Sequence, residues 1–187
     1  MPALSAMGNQ VIPLPTALLS THTGGFTDMH FIDLNESMNK ISDHFKSLGI
    51  SFDCIYSGFL GSYEQIDTVL NYIDNFKSKE TLVMVDPVMG DDGELYSTYT
   101  HELMMGMKRL CEKADIITPN LTEAFFLTES EFCETESMSE DEVTCLVRAL
   151  RDKLVAFKNK KLVITGIPYA GDNFATYGYD AQSGEEF

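Results

Sequence analysis

The chain has 187 residues, enough for one domain with a hydrophobic core and too few for two full domains. Thirteen Lys and Arg residues stand against 29 Asp and Glu residues, and the resulting net charge of −16 argues against a nucleic-acid partner, whose phosphates would be repelled. No apolar run approaches the ~20 residues of a membrane helix, and the N-terminus lacks a signal-peptide pattern, so we expect a cytoplasmic protein without a membrane partner.

The first half of the chain alternates between strand-like and helix-like periodicity. Residues 10–20 form an extended segment interrupted by prolines, and residues 36–48 present one apolar helical face. A short buried strand over residues 53–56 leads into a turn. The next helix begins at Ser62, where Gln65 three residues later predicts a capping box.

The second half continues the alternation. An uninterrupted β-forming run over residues 81–85 is typical of a strand covered on both faces, and a helix follows at 100–112. The remaining predicted elements are a strand at 115–118, a short helix capped by Thr122, an exposed acidic loop at 129–141, a helix with a Ser139–Glu142 capping box, and strands at 162–165 and 174–179. This order predicts one α/β domain over residues 1–187, with a mostly parallel sheet and helices on both faces.

Small, acidic and hydroxyl-bearing residues follow four of the predicted strands. In an open parallel sheet, the ligand site lies outside the carboxyl ends of the strands, so these residues would share one crevice. They are Ser57-Gly58, Asp86-Pro87, Thr118-Pro119-Asn120 with Glu123, and Thr165-Gly166.

Asp86 comes directly after a β-forming run, and Asp91 and Asp92 follow on a turn flanked by glycines, which permit close approach of the backbone to a ligand. Carboxylates repel a polyphosphate, but they can hold Mg²⁺, usually through water, and the metal then bridges to the phosphates. Glu123 would complete such a cluster. On spacing alone, an ordinary turn explains Asp-Asp-Gly equally well.

Four segments resemble conserved blocks of pyridoxal kinases and occur in the order found in that family. They are LSTHTGGF (19–26), SGFLGS (57–62), DPVMGDDGELY (86–96) and ADIITPNLTEA (114–124). On these motifs the chain is identified as a member of the pyridoxal/pyridoxamine kinase family of the ribokinase-like superfamily. The resemblance implies an α/β three-layer sandwich, here incomplete, and transfer of the ATP γ-phosphate to the hydroxymethyl group of pyridoxal, pyridoxamine or pyridoxine.

The resemblance also implies roles for individual residues. Ser20 and Thr23 would lie beside the pyridine ring of the substrate, and Phe59 would pack against it. Asp86, Thr118 and Glu123 would surround the metal and the phosphates. The full set implied to border ATP is Asp86, Asp91, Tyr96, Thr118, Glu123, Thr165 and Gly166. The family uses Mg²⁺, often with K⁺ or Na⁺, and is commonly a homodimer.

Two parts of the family pattern are absent from this sequence. The family has a strand and a small-residue loop ahead of the segment that corresponds to residues 2–8. It also has a Gly-Thr/Ser-Gly-Asp motif whose amides form an anion hole and whose Asp removes the proton of the attacking hydroxyl. Gly171-Asp172 comes too early to be that motif. We therefore expect no catalytic base, little kinase activity and exposed apolar sheet surface in this chain.

Two other interpretations stay open. A hydroxymethylpyrimidine or hydroxymethylpyrimidine phosphate kinase shares the fold and the acidic strand end, although the continuation from Gly90 to Tyr96 favours the pyridoxal kinases. Outside enzymes, the alternative is a non-catalytic remnant that binds a nucleotide or a partner protein. The absent Gly-x-Gly-Asp motif is the feature that supports a remnant.

Overall fold

The computed structural model describes residues 1–21, 26, 28–135, 137–169 and 173–187. The predictions made for Thr23 and for Gly171-Asp172 lie outside these residues. In chain order the elements are α1 (Pro2–Ala6), β1 (Ala17–Leu19), β2 (Phe31–Asp33), α2 (Asn35–Ser47), β3 (Cys54–Ser57), α3 (Tyr63–Phe76), β4 (Leu82–Val85), β5 (Gly90–Asp91), β6 (Glu94–Leu95), α4 (His101–Lys113), β7 (Ile116–Ile117), α5 (Leu121–Leu127), α6 (Glu140–Leu154), β8 (Lys161–Tyr169), β9 (Asn173–Asp180) and β10 (Glu185–Glu186).

A six-stranded sheet with the order β10-β9-β8-β7-β4-β3 organises the molecule. Its strands β3, β4, β7 and β8 are parallel, whereas β9 and β10 continue the sheet in antiparallel pairing. Val85 is in register with Ser57 on one side and Ile117 on the other. The carboxyl ends of three parallel strands therefore meet at one edge, and the predicted α/β class with a mostly parallel sheet is confirmed.

The two faces of the sheet differ in burial, because successive side chains of a strand point to opposite sides. On one face Val83, Val85 and Ile117 are fully buried and belong to the hydrophobic core that the helices complete. On the other face, Tyr56 is 52% exposed and Leu82 is 36% exposed. The prediction that residues 81–85 are covered on both faces is therefore wrong for the part of the chain that is described.

Helix capping follows the predicted pattern at α6 and departs from it at α3 and α5. Ser139 and Glu142 form a capping box at the start of α6, as predicted. Ser62 precedes α3 without a capping hydrogen bond from its side chain, so the predicted capping box with Gln65 is wrong. At α5, Asn120 caps the helix in place of the predicted Thr122.

Strand lengths also differ from the predictions. Within residues 10–20, only β1 is a strand, and it pairs with β2 as a separate antiparallel ribbon. The strand predicted at 162–165 extends to Tyr169, because it continues into a hairpin with β9. Among the described residues, no helix is long and apolar enough to cross a membrane.

Candidate functional site

A cavity of about 310 Å³ opens at the carboxyl ends of β4 and β7 and beside Thr165 in the middle of β8. This is the edge of the sheet at which the sequence predicted a shared crevice. Its lining residues are Asp86, Val88, Tyr96, Thr118, Asn120, Glu123 and Thr165. Five of the seven residues predicted to border a nucleotide are thus brought together, namely Asp86, Tyr96, Thr118, Glu123 and Thr165.

Asp86 is fixed in this cavity by its backbone and by one oxygen of its carboxylate. Its amide donates to the carbonyl of Ser57 at 2.8 Å, which extends the pairing of β4 with β3 by one residue. The hydroxyl of Tyr56 donates to Asp86 Oδ2, also at 2.8 Å. Burial raises the pKa of Asp86, and the bond from Tyr56 opposes that rise. Tyr56 could not be predicted as a site residue, because only the register of β3 against β4 brings it near Asp86.

Glu123 is buried at the start of α5 with 3% of its surface exposed. Its Oε1 accepts from the Met89 amide at 3.0 Å, and its Oε2 accepts from the Asn120 amide at 2.8 Å. Burial raises the pKa of Glu123 to about 7, the backbone amides oppose the rise, and the charge of Asp86 adds to it. Both carboxylate oxygens are thus occupied by backbone donors, so Glu123 acts on the cavity chiefly through its charge.

The Asp-Asp-Gly turn is a short hairpin of β5 and β6 that is bonded to α5 and to the residue before it. Asn120 Nδ2 donates to the Gly90 carbonyl at 2.9 Å, and the Gly93 amide donates to Thr122 Oγ1 at 3.0 Å. Asp91 is exposed and lies outside the lining of the cavity, although its charge, after burial, is a cause of the raised pKa of Tyr96. The hairpin therefore has a fixed position beside the cavity.

Thr118 and Thr165 reach the cavity from two neighbouring strands. The Thr118 amide donates to the Val85 carbonyl at 3.1 Å, and the Thr165 amide donates to the Pro119 carbonyl at 3.0 Å. Gly166 follows with a φ of +65°, a conformation that favours glycine, at the point where the pairing of β8 with β9 changes register. Gly166 is not among the residues that line the cavity.

Ser20 and Phe59, the two predicted substrate residues that the structure describes, also lie outside the lining of this cavity. Ser20 Oγ accepts from the His30 amide at 2.9 Å, directly after β1. Phe59 is half-buried in the loop after β3, and its carbonyl accepts from Thr16 Oγ1 at 2.9 Å. Phe59 is connected to the cavity through Ser57, whose carbonyl binds the Asp86 amide.

The polar side chains that line the cavity offer oxygen ligands, the type that Mg²⁺ prefers. They include two carboxylates and neither Lys nor Arg, so no lining side chain compensates their charge. Within the described ranges, no group of three or more His, Cys, Asp or Glu side chains is arranged to hold a metal ion. The residues therefore fit a Mg²⁺ ion that keeps most of its ligands as water or phosphate, as Mg²⁺ usually does.

Comparison with known proteins gives consistent matches. The profile of the phosphomethylpyrimidine kinase family matches residues 1–183. A protein of Bacteroides thetaiotaomicron, described as a phosphomethylpyrimidine kinase and crystallised with pyridoxal, is 39% identical; the match covers 99% of this chain and 63% of that chain, with a TM-score of 0.86. Pyridoxal kinase from Lactobacillus plantarum is 30% identical over 100% of this chain and 63% of its own, with a TM-score of 0.83.

Curated proteins give the same result from sequence. Pyridoxal kinase of Arabidopsis thaliana is 28% identical over 172 residues, which is 90% of this chain and 52% of that protein. Pyridoxal kinase of Pasteurella multocida is 33% identical over 129 residues, which is 64% of this chain and 43% of that protein. The chain thus spans about half the length of the curated relatives it matches. The resemblance to pyridoxal kinases drawn from the four sequence motifs is confirmed.

Proposed function

The chain belongs to the phosphomethylpyrimidine kinase family, and on that premise we propose that its site transfers the γ-phosphate of ATP to the hydroxymethyl group of pyridoxal, pyridoxamine or pyridoxine. One observation carries the proposal: a cavity at the carboxyl ends of β4 and β7, beside the middle of β8, is lined by Asp86, Glu123, Thr118 and Thr165. A buried carboxylate, Glu123, and a half-buried one, Asp86, beside hydroxyl donors suit a phosphate that arrives with its metal.

Mg²⁺ would be held at Asp86, Thr118 and Glu123, with Asp86 and Glu123 acting largely through bound water. When bound, the metal would neutralise phosphate charge and polarise a phosphoryl oxygen; K⁺ or Na⁺ is proposed as an additional ion. The hydroxyls of Thr118 and Thr165 can donate to phosphate oxygens. The rest of the nucleotide would lie toward the remaining proposed residues, Asp91, Tyr96 and Gly166.

Ser20, Thr23 and Phe59 are the proposed substrate residues. An aromatic ring can stack on the face of Phe59, and the Ser20 hydroxyl, whose oxygen accepts from the His30 amide, can still donate its proton to a ligand. Support for a pyridine substrate comes from the Bacteroides thetaiotaomicron protein, which was crystallised with pyridoxal and is 39% identical to this chain.

A hydroxymethylpyrimidine or its phosphate is the second candidate substrate. The matching family and the same Bacteroides protein favour it, since both carry the name phosphomethylpyrimidine kinase. The two substrates share a hydroxymethyl group on a flat heteroaromatic ring, so the phosphoryl chemistry would be the same for both. A remnant that binds nucleotide without turnover is the third candidate, because the described residues of the cavity include no side chain that we assign as a catalytic base.

The test is an ATP-dependent phosphorylation assay with pyridoxal, pyridoxine and hydroxymethylpyrimidine as acceptors. It is run on the 187-residue chain and on a chain extended by the residues encoded on either side. We expect Mg²⁺-dependent phosphorylation of the B6 vitamers, stronger in the extended chain, and a loss of about 100-fold in Asp86→Asn. Turnover of hydroxymethylpyrimidine alone would establish the second candidate. Nucleotide binding without turnover in either chain would establish the remnant.

A homodimer and a cytoplasmic location complete the proposal. The family resemblance supports a dimer, and the excess of acidic over basic residues disfavours nucleic acid as a partner. Light scattering coupled to gel filtration would measure the mass in solution. A single species at the mass of one chain would contradict the dimer.

A further inference from the structure

Gln65 lies in the first turn of α3, and its side chain is fully buried. Its Oε1 accepts from the Gly61 amide at 2.9 Å, and its Nε2 donates to the Thr16 carbonyl at 2.7 Å. A buried amide with both ends bonded fixes its partners relative to each other, because breaking either bond leaves a buried polar group unpaired. Gln65 therefore joins the loop after β3 to the segment before β1.

Other contacts support the same junction. Thr16 Oγ1 donates to the Phe59 carbonyl at 2.9 Å, so Thr16 binds the loop through its side chain and Gln65 through its carbonyl. The ring of Phe31 on β2 packs against Gly61, where an added Cβ would come within 2.4 Å of the ring. The ribbon of β1 and β2 and the loop at 59–61 thus form one packed unit with Gln65 at its buried centre.

The two elements joined by Gln65 carry the two described residues of the proposed substrate side. Ser20 directly follows β1, where its amide donates to the His30 carbonyl at 3.0 Å. Phe59 opens the loop whose Gly61 amide binds Gln65. We propose that Gln65 is a positioning residue for the substrate ring, which it acts on by fixing Ser20 and Phe59 relative to each other. This inference rests on the proposed function, because Ser20 and Phe59 bind substrate only in that proposal.

Gln65 is not among the residues that line the cavity around Asp86 and Glu123. Its role therefore predicts a selective effect: a change at Gln65 weakens binding of the ring substrate and spares binding of the nucleotide. A purely structural role predicts instead that both ligands lose affinity together, in step with stability.

The test measures two dissociation constants by calorimetry in the 187-residue chain. The ligands are pyridoxine, which lacks an aldehyde that could react with lysines, and Mg²⁺ with a non-hydrolysable ATP analogue. For Gln65→Met we expect the Kd for pyridoxine to rise about tenfold or more, the effect of losing two buried hydrogen bonds, and the Kd for the nucleotide to change less than about twofold.

Thr68→Val provides the matched control. Thr68 is buried on the same helix, and its hydroxyl bonds to Asn35 and Asn39 on α2 rather than to Thr16 or Gly61. We expect Thr68→Val to lower stability and to leave the Kd for pyridoxine unchanged. An equal rise in this Kd for Thr68→Val and Gln65→Met would overturn the inference.

Amide hydrogen exchange gives a readout that needs no ligand. In Gln65→Met, exchange should be faster at residues 16–20 and 59–61 and unchanged in α4 and α6. Unchanged exchange in those two segments would overturn the inference. If the parent chain bound no pyridoxine, the proposed substrate site itself would fail, and the role of Gln65 with it; binding by the parent with an unaffected variant would refute the role of Gln65 alone.

Discussion

The hydroxyl of Tyr56 lies 2.8 Å from Oδ2 of Asp86 and thereby connects the edge strand β3 to the carboxylate that follows β4. Tyr56 on β3 is in register with Met84 on β4, so its phenol reaches diagonally to Asp86, two residues further along from Met84. Burial first, then the hydrogen bond to Asp86 and its charge, raise the pKa of Tyr56 to about 12. The phenol is therefore protonated at neutral pH and holds one carboxylate oxygen, which leaves the other oxygen of Asp86 available to a ligand.

Replacing Tyr56 by Phe removes this donor and leaves the ring. Because Tyr56 is half exposed, water can take the place of its hydroxyl, and we expect the cost to be about 1 kcal/mol. That corresponds to a rise of about fivefold in the Kd for Mg²⁺ with an ATP analogue, measured by calorimetry. Tyr63→Phe is the matched control, since its hydroxyl bonds to Arg109 on α4 and lies outside the lining of the cavity. Equal affinities of Tyr56→Phe and the parent would show that Asp86 does not need this bond.

Glu123 should give stability a distinct dependence on pH. Its pKa is about 7 in the folded protein against an ordinary value of 4.5, so between these values the folded state binds more protons than the unfolded state. Stability therefore falls as the pH rises through that window, by about 3 kcal/mol in total. Gln cannot titrate, so the stability of the Glu123→Gln variant should not show this decrease with rising pH.

Urea unfolding at pH 5 and pH 7.5 measures the effect. From the lower to the higher pH, the parent should lose about 2 kcal/mol more than Glu123→Gln, because these two pH values span most of the titration. At pH 5 the parent carboxyl is protonated, and both of its oxygens can still accept from the two backbone amides. The amide nitrogen of Glu123→Gln cannot accept from either of them, so the variant should be the less stable protein at this pH. Parallel pH profiles would contradict the raised pKa.

The sequence predicts the elements whose signal is local. Ser139 and Glu142 form their capping box with each other, and the alternation of apolar residues defines most helices and strands without reference to the rest of the chain. The Ser62–Gln65 pattern has the same spacing but fails, because Gln65 bonds to Thr16, which is 49 residues away. A pattern of neighbouring residues cannot reveal a hydrogen-bond partner that is so distant in the sequence.

Some residues of the candidate site could likewise be predicted from the sequence, and others could not. Asp86 and Glu123 could be predicted because polar residues at the carboxyl ends of parallel strands meet at one edge. Tyr56 could not, since its bond to Asp86 depends on the register of β3 against β4. Asn120 at the start of α5 did carry a local signal, the spacing of three residues to Glu123 that marks a capping box.

Gly90 should be intolerant of any side chain. A Cβ at this position would lie 2.1 Å from the backbone carbonyl oxygen of Glu94, so Gly90→Ala forces β5 and β6 apart. We expect a loss of about 2 kcal/mol in unfolding free energy and a weaker bond from Asn120 to the Gly90 carbonyl. Gly58→Ala is the control, because a Cβ there meets nothing within 4 Å. Similar denaturation midpoints for the two variants would refute this account of the hairpin.

Asp115 should stabilise the fold through its charge at the amino end of β7. Its side chain is 9% exposed and is bonded by Lys160 Nζ at 2.9 Å, Lys77 Nζ at 3.1 Å and the Val83 amide at 2.9 Å. Burial alone would raise the pKa of Asp115, but the bonds from Lys160, Val83 and Lys77 together outweigh it and hold the pKa below its ordinary value of 3.8.

A carboxyl group with a lowered pKa contributes stability that is present above its unfolded value and is lost as the pH falls through its folded value. Asp115→Asn should therefore cost about 2 kcal/mol at pH 7, the scale of a buried hydrogen bond to a charged group, and the difference from the parent should shrink below about pH 3.8. Asp74→Asn is the matched control: its carboxylate pairs with Lys113 but is 62% exposed, so we expect at most about 0.5 kcal/mol. Denaturant unfolding at pH 7 and pH 3 distinguishes the two carboxylates, because that of Asp74 is exposed to solvent whereas that of Asp115 is buried. Equal losses at pH 7 would mean that burial adds nothing to the contribution of Asp115.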